Sequence, residues 1–418
     1  MTQLSSLARR LGRLADEIDA HGSIAGVTHV PGRIEAARRE LLELADEIQI
    51  RVRDGPLFLE EHQYHVFACL RWLLHFNIFQ HIPQDSTPIT YPQLATLASV
   101  PAGRLRSVVR MAMTSGLFVE QQPGCVSHNQ LSLSFAQDES LGDWATFIIR
   151  YGQPSAAAFT EATARWGDSQ ALDQTAQNIA LDTDLPYFEA IKQREGAVDE
   201  FARYMSAIQK GSCLRHDHVV RGIDWVKLFG EKAHVVDVGG STGGVSASLA
   251  EAYPFFTFTV QDLPETTRLG PAAMASLPED LSRRISFQEH DFFTAQPTPA
   301  DVYLVRLILH DWPREEAILI LSHLSSSLQT QCKPGSRILI MDTVLPAPGA
   351  VPLSREAKLR CRDMTMLASF NSGERELEEW EALLAELSKV QVVNSRLVKA
   401  TGVNVVLERR IMETGSNM

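Results

Sequence analysis

The sequence predicts an α/β protein, with an open and mostly parallel sheet covered by helices and a separate helical region ahead of it. Three observations carry this. Residues His234 to Pro264 read as strand, Gly-rich turn, helix, strand and acidic residue, the opening of a doubly wound sheet. Downstream, short apolar runs keep alternating with helical patterns. Upstream, residues 1 to about 210 are helix-patterned, interrupted only by a small hairpin signal. A length of 418 residues allows two or three domains, and an apolar fraction of 44% supplies a sizeable core.

In chain order, Ser5–Ile18 and Arg33–Val52 carry apolar residues at three-to-four spacing around a Gly/Pro-containing break. Periodicity serves a plain surface helix and a helix packed on a partner subunit equally well. The Leu-, Phe- and Trp-rich stretch from Pro56 to Pro83 is too apolar all round for a surface helix and is expected as a buried helix pair. His62, His65, His75 and His81 lie in it without a matching set of carboxylates, so they read as core or interface histidines. Thr90 to Leu133 has a helix–turn–helix–wing rhythm. One helix begins at Tyr91-Pro92, Pro101-Ala102-Gly103 turns the chain, a second helix runs from Arg104 to Ser115, and a hairpin follows. A winged helix often binds DNA, and Arg104, Arg106 and Arg110 are placed to meet phosphate. The net charge of −12 lacks the basic footprint, so no nucleic-acid partner is expected. Residues 137–210 read as helices and polar loops, with Asp182-Thr183-Asp184 expected to cap a helix starting near Leu185. The aromatics there either pack in a core or wall a pocket.

After the opening βαβ unit, strands are expected at Arg284–Phe287, Asp301–Ile308 and Ser336–Met341. Helices are expected at Pro313–Leu328, Ser354–Ser369 and Leu377–Leu387, and closing strands at Val390–Leu397 and Asn404–Glu408. No apolar run approaches the roughly 20 residues of a membrane helix, so no membrane partner is expected. The N-terminus lacks an apolar signal core. Five scattered cysteines without a C-x-x-C fit a reducing, cytoplasmic setting with no metal.

The Gly-rich turn narrows the ligand. A dinucleotide fingerprint needs G-x-G-x-x-G, but Ser241 and Thr242 stand where the second glycine would fall after Gly239 or Gly240. The cradle for a pyrophosphate is correspondingly poorer. The D-x-G-G-x-x-G pattern suits a ligand with a ribose and no phosphate, such as S-adenosylmethionine. Asp262, ending the second strand, is placed to accept hydrogen bonds from the ribose diol.

Ligands of open α/β sheets bind beyond the carboxyl ends of the strands. Gly239, Gly240, Asp262 and Asp291 fall at one such group of ends; His310, Asp342 and Glu374 form another. A histidine whose one ring nitrogen is held by carboxylates leaves the other free to take a proton from a hydroxyl. Transfer of a sulfonium methyl to oxygen needs aligned partners and a deprotonated acceptor, which such a set provides.

The stretches Asp237–Gly243, Gln261-Asp262-Leu263-Pro264, Arg306–Trp312 (RLILHDW) and Asn371–Arg375 resemble the plant-type caffeic acid O-methyltransferase family and its fungal secondary-metabolite relatives. The resemblance covers nearly the whole chain. It implies a Rossmann-like methyltransferase domain (211–418), a helical linker contributing to the substrate pocket (137–210) and an N-terminal all-helical and winged-helix dimerisation domain (1–136), hence a homodimer. It implies His310 as catalytic base flanked by Asp342 and Glu374. It implies cofactor contacts by Gly239, Gly240, Asp262 and Leu263, an adenine-side pair in Asp291 and Phe292, Arg306 near the cofactor, and Met205-Ser206 beside the methionine moiety. Met364, Met366 and Asn371 fall where the family lines its acceptor pocket. Two departures stand out: Asp342 replaces the Glu of plant members, and the loop Ser372-Gly373-Glu374-Arg375-Glu376 is a reduced version of the family's pattern. The leading expectation is an S-adenosylmethionine-dependent O-methyltransferase acting on an aromatic or polyketide-type small molecule. The alternative is an O-methyltransferase-like pericyclase that holds the cofactor without transferring its methyl group. A third, a non-catalytic regulator using the winged helix, is opposed by the acidic charge and the histidine set.

Overall fold

Burial of both faces of the central strands fixes the layering of the larger part of the molecule. In the computed structural model, which describes residues 4–20, 32–52, 65–209, 215–386, 391–398 and 404–410, the chain forms two compact units. One comprises residues 1–149 with 348–358, the other 150–347 with 359–418.

The smaller unit carries the three short strands β1 (Ile89–Thr90), β2 (Val119–Gln122) and β3 (Cys125–Ser127), in the order β1-β3-β2. Helices Tyr91–Leu97 and Ala102–Met113 lie between β1 and β2 in sequence. Thr90 starts the first with a reciprocal capping box to Gln93, which satisfies two otherwise unbonded helix-start N–H groups. Leu73, Phe79, Leu94, Leu105, Val109 and Val126 form the core, with Phe79 stacked on Phe118 at 5.2 Å. His128 is buried and bonded on both nitrogens, to the Ser132 hydroxyl and the Phe79 carbonyl, each at 3.0 Å. Arg110 makes a two-pronged bond to Glu120, so the sequence's candidate for phosphate contact is already engaged by a carboxylate. Arg104 and Arg106 are exposed.

The expectation of a buried helix pair over 56–83 needs correction. Helix His65–His75 buries only Leu73, and Phe67 is 42% exposed, because this helix lays one narrow face on the unit's core. His65 and His75 are exposed and His81 is half-buried; His62 and residues 53–64 lie outside the described residues.

The larger unit is built on a sheet ordered β10-β11-β8-β7-β4-β5-β6. Its strands are β4 (His234–Val238), β5 (Thr257–Asp262), β6 (Ile285–Glu289), β7 (Val302–Arg306), β8 (Arg337–Leu345), β10 (Gln391–Val398) and β11 (Asn404–Arg410). Neighbours from β6 to β8 pair in parallel, while β11 is antiparallel to both β8 and β10. A two-residue strand, β9 (Arg375–Glu376), pairs in parallel with the end of β8. Successive strand residues point to opposite faces. Val236, Val238, Tyr303, Val305, Ile338 and Ile340 therefore pack with Ile320, Leu324 and Trp380 on one side. Val235, Val302, Leu304, Leu339 and Met341 pack with Leu249 and Trp225 on the other. Burial on both faces explains why these strands read as continuous apolar runs.

The expected cap at 182–184 is also corrected. Asp182 adopts a left-handed conformation (φ 52°) and closes the preceding helix, Ala176–Leu181, while helix Tyr187–Lys192 starts from Pro186 without a side-chain cap. Asp is one of the few non-glycine residues that tolerates this conformation.

Candidate active site

The reacting end is assembled at the carboxyl ends of β7 and β8. Beyond β7 the chain turns sharply at Leu307, a bulky residue at φ 54°, and enters a 3-10 turn, Leu309–Asp311. This turn carries His310, which is buried. Asp342 sits within β8 and is 2% exposed; its Oδ1 accepts the Thr343 N–H at 2.9 Å. Glu374 directly precedes β9, whose register opposite β8 (Arg375 beside Val344) returns the chain to the same strand end. The Glu374 N–H donates to Asp363 Oδ1 at 3.1 Å. Three distant segments thus converge on one imidazole: His310 Nδ1 lies 3.0 Å from Glu374 Oε1 and 3.5 Å from Asp342 Oδ1, while Nε2 lies 3.5 Å from Asp311 Oδ1.

Burial opposes a charge on His310, but the carboxylates of Asp342, Glu374 and Asp311 outweigh it and push the imidazolium pKa up to about 10. The two acids on Nδ1 behave differently. Burial raises Asp342; the His310 charge offsets part of this and the Glu374 charge adds to it, so the net shift is upward. Glu374 is buried as well, yet the charge and hydrogen bond of His310 hold its carboxyl below the usual range. Glu374 is the closer of the two and the one that accepts a hydrogen bond from the imidazole. Asp311, with burial dominating, is pushed up to about 7. Oδ2 of Asp342 and Oε2 of Glu374 are buried with no hydrogen-bond partner among the described residues. Ligand atoms of His310, Asp342 and Glu374 lie within 4.8 Å of one another, a spacing that a proton or a divalent cation can fill.

The candidate cofactor end lies at the strand-order switch beside β4. Gly239 has φ 67°, and a Cβ there would come within 2.5 Å of Ile308 Cδ1; at Gly240 it would lie 2.6 Å from Asp237 Cγ. Both glycines are therefore required for this close turn. Asp237 is buried beneath it, accepts the Ser246 hydroxyl at 2.7 Å, and is raised by burial to about 6. Asp262 ends β5; its Oδ2 accepts the Ser241 N–H at 2.9 Å and its Oδ1 the Leu263 N–H at 2.8 Å. Each oxygen retains a lone pair for a diol. A glycine cradle with a carboxylate at the next strand end fits S-adenosylmethionine. Arg306, buried at the end of β7, feels both Asp237 and Asp342, although burial lowers its pKa to about 10. Phe292 lies beside Gly239 and meets the Trp312 ring edge-on at 5.8 Å. Asp291 bonds its own turn through the Phe293 N–H.

An aromatic group adjoins the reacting end. Phe188 stacks near Trp312, two residues beyond His310, with centroids 6.0 Å apart; Phe201 lies 6.0 Å from Phe188, and Tyr187 lies 4.5 Å from Phe370. Met205 (half-buried) and Ser206 (exposed) lie on helix Ala197–Gln209. Met364 (45% exposed) and Met366 (half-buried) lie on helix Leu353–Phe370. The Asn371 amide donates to the Ala171 and Gln174 carbonyls, so its N–H groups anchor a loop. The structure thus brings together His310, Asp342 and Glu374, and separately Gly239, Gly240, Asp262 and Leu263. Sequence reasoning gave no role to Asp237, Asp311 or Arg375, although all three lie inside the quoted motifs.

These features define an α/β protein with a glycine cradle and a strand-end carboxylate at one group of strand ends and a carboxylate-flanked histidine at another. The chain belongs to the O-methyltransferase family: that domain's model matches residues 176–388. Among similar proteins, O-methyltransferase pgmB of Aspergillus terreus is 46% identical over 325 residues, covering 77% of this chain and 90% of the relative. O-methyltransferase VdtC of Byssochlamys spectabilis is 44% identical over 360 residues, covering 85% and 81%. In shape the chain is similar to a pericyclic reaction enzyme (TM-score 0.77, 20% identity, 98% of this chain and 100% of that one). It is also similar to the mitomycin 7-O-methyltransferase MmcR (TM-score 0.69, 21% identity, 90% and 100%). The protein is an S-adenosylmethionine-dependent O-methyltransferase.

Proposed function

We propose that this enzyme methylates a hydroxyl of an aromatic or polyketide-type secondary metabolite, with His310 as general base. The observation that carries the reading is the approach of two buried carboxylates to Nδ1 of a histidine whose Nε2 faces away from them. Bound S-adenosylmethionine supplies an electrophilic methyl group. The acceptor hydroxyl donates to His310 Nε2, and Glu374, aided by Asp342, stabilises the imidazolium that forms. Magnitude supports this pairing. An ordinary imidazole taking a proton from a phenol would be about 5 kcal/mol short. A histidine raised to about 10 matches a phenol. The aromatic group around Phe188, Trp312 and Phe370 offers a flat apolar wall for the acceptor. Met205, Met364, Met366 and Asn371 are assigned to the acceptor side. Asp291, Phe292, Arg306 and Ser206 are assigned to the cofactor side.

The division into 1–136, 137–210 and 211–418, a winged-helix dimerisation domain, a homodimer and a cytoplasmic location belong to the same reading. The helix–helix–hairpin order after β1, the acidic net charge and the engaged Arg110 support a winged helix turned away from DNA. Among the described residues no helix is long and apolar enough to cross a membrane.

The likeness to a pericyclic reaction enzyme is one of fold, whereas the more similar relatives are O-methyltransferases. Purified protein incubated with a polyketide and phenol pool and methyl-labelled S-adenosylmethionine should yield a product heavier by one labelled methyl, with S-adenosylhomocysteine released. Substrate consumed without label, by loss of water or isomerisation, would overturn methyl transfer in favour of pericyclic chemistry.

A further inference from the structure

One side chain grips both ends of the turn that carries His310. Arg375 Nη1 donates to the Leu309 carbonyl and Nη2 to the Trp312 carbonyl, each at 2.7 Å, so its fork spans the two residues that bracket His310 and Asp311. A planar guanidinium holds two fixed donors in this way; a lysine cannot. The fork is itself held: its Cζ lies 5.2 Å from the centre of the Trp380 ring. Trp380 is fully buried, and its indole N–H donates to the Thr343 carbonyl, next to Asp342. In sequence Arg375 follows Glu374 and opens β9, which pairs with β8 just past Asp342. One residue is thereby joined to the segments of all three members of the set, by a peptide bond to Glu374, by two hydrogen bonds to the His310 turn and by strand pairing to the Asp342 strand.

This bracing answers a need of the site. A 3-10 turn of three residues, entered through a left-handed leucine, has few hydrogen bonds of its own. Yet the imidazole must be held within a fraction of an ångström of Glu374, since a misplacement of about 1 Å can cost a factor of about 100 in rate. We propose that Arg375 is the positioning residue of the active site, setting the register of the His310 turn against Glu374 and Asp342 without itself touching the acceptor. The proposal rests on the reading of His310 as the proton acceptor.

Two readouts test it, one independent of turnover. In ¹⁵N-histidine NMR, with the His310 signal assigned by its loss in His310→Ala, Arg375→Lys, which keeps the positive charge but not the fork, should move the His310 titration downward from its raised value, as the Glu374 contact loosens. In steady-state kinetics Arg375→Ala should lower kcat by about 100-fold and leave the S-adenosylmethionine Kd unchanged. Arg375→Lys should fall between it and wild type. Millimolar guanidinium should restore part of the kcat of Arg375→Ala and none of that of His310→Ala. An unmoved His310 titration in Arg375→Lys, with kcat unchanged or lost together with cofactor binding in Arg375→Ala, would overturn the proposal. If wild type transfers no methyl group yet the titration moves in Arg375→Lys, the positioning stands and the base assignment fails.

Discussion

Glu374 meets His310 at 3.0 Å through a hydrogen bond to Nδ1, while Asp342 stands back at 3.5 Å from the same nitrogen. The two acids are therefore unequal. Glu374→Gln removes the charge of the hydrogen-bonded partner, and kcat should fall by about 100-fold or more. Asp342→Asn should cost less. Steady-state kinetics at saturating cofactor decides the order; a larger loss in Asp342→Asn would make Asp342 the orienting acid.

The pH profile follows from the raised pKa of His310. A base must be unprotonated in the free enzyme, so kcat/KM for a neutral acceptor should climb with pH from neutrality toward about 10. Removing a nearby negative charge lowers an imidazolium pKa. Asp342→Asn should therefore shift this limb to lower pH, as a rate profile at fixed ionic strength would show.

The same group links pH to stability. Its folded pKa lies above the ordinary histidine value, so its stabilising contribution is full below about 6.5 and is lost as pH rises through about 10. Thermal melts should show Tm falling across that window, and His310→Ala should flatten the fall.

At the cofactor end, Gly240→Ala places a Cβ against Asp237 and Val260. Asp262→Ala removes the strand-end carboxylate that holds the Ser241 N–H. Loss of a hydrogen bond to a charged group is worth about 1.5–3 kcal/mol, or about 10- to 150-fold in affinity. Calorimetric titration of S-adenosylmethionine should show weakening of this order for Asp262→Ala, with the His310 titration unchanged.

A proton, not a divalent cation, fills the space between His310, Asp342 and Glu374 in this account. Methyl transfer should therefore survive EDTA dialysis unchanged. Loss on dialysis with recovery on adding Mg²⁺ or Zn²⁺ would reassign the three side chains as ligands.

Much of this was legible in the sequence because strand ends and motifs coincide. The run His234–Val238 into Gly239-Gly240 has one good structural solution, and RLILHDW marked the histidine turn. The pairing of Glu374 with His310, 64 residues apart, was expected from the family resemblance and not from periodicity, because it depends on β9 docking beside β8 and a two-residue strand leaves none to read. Arg375 escaped for a related reason: its partners are backbone carbonyls, which carry no residue signature. The exposure of helix His65–His75 was hidden by composition, since an all-round apolar helix reads as buried whether or not one chain covers it.

The most direct test of the central claim is His310→Ala, measured in single turnover with methyl-labelled S-adenosylmethionine and in parallel by calorimetry. The account predicts unchanged cofactor affinity and a methyl-transfer rate lower by about 10²- to 10⁴-fold. Transfer at the wild-type rate, or loss of cofactor binding in step with the rate, would contradict it.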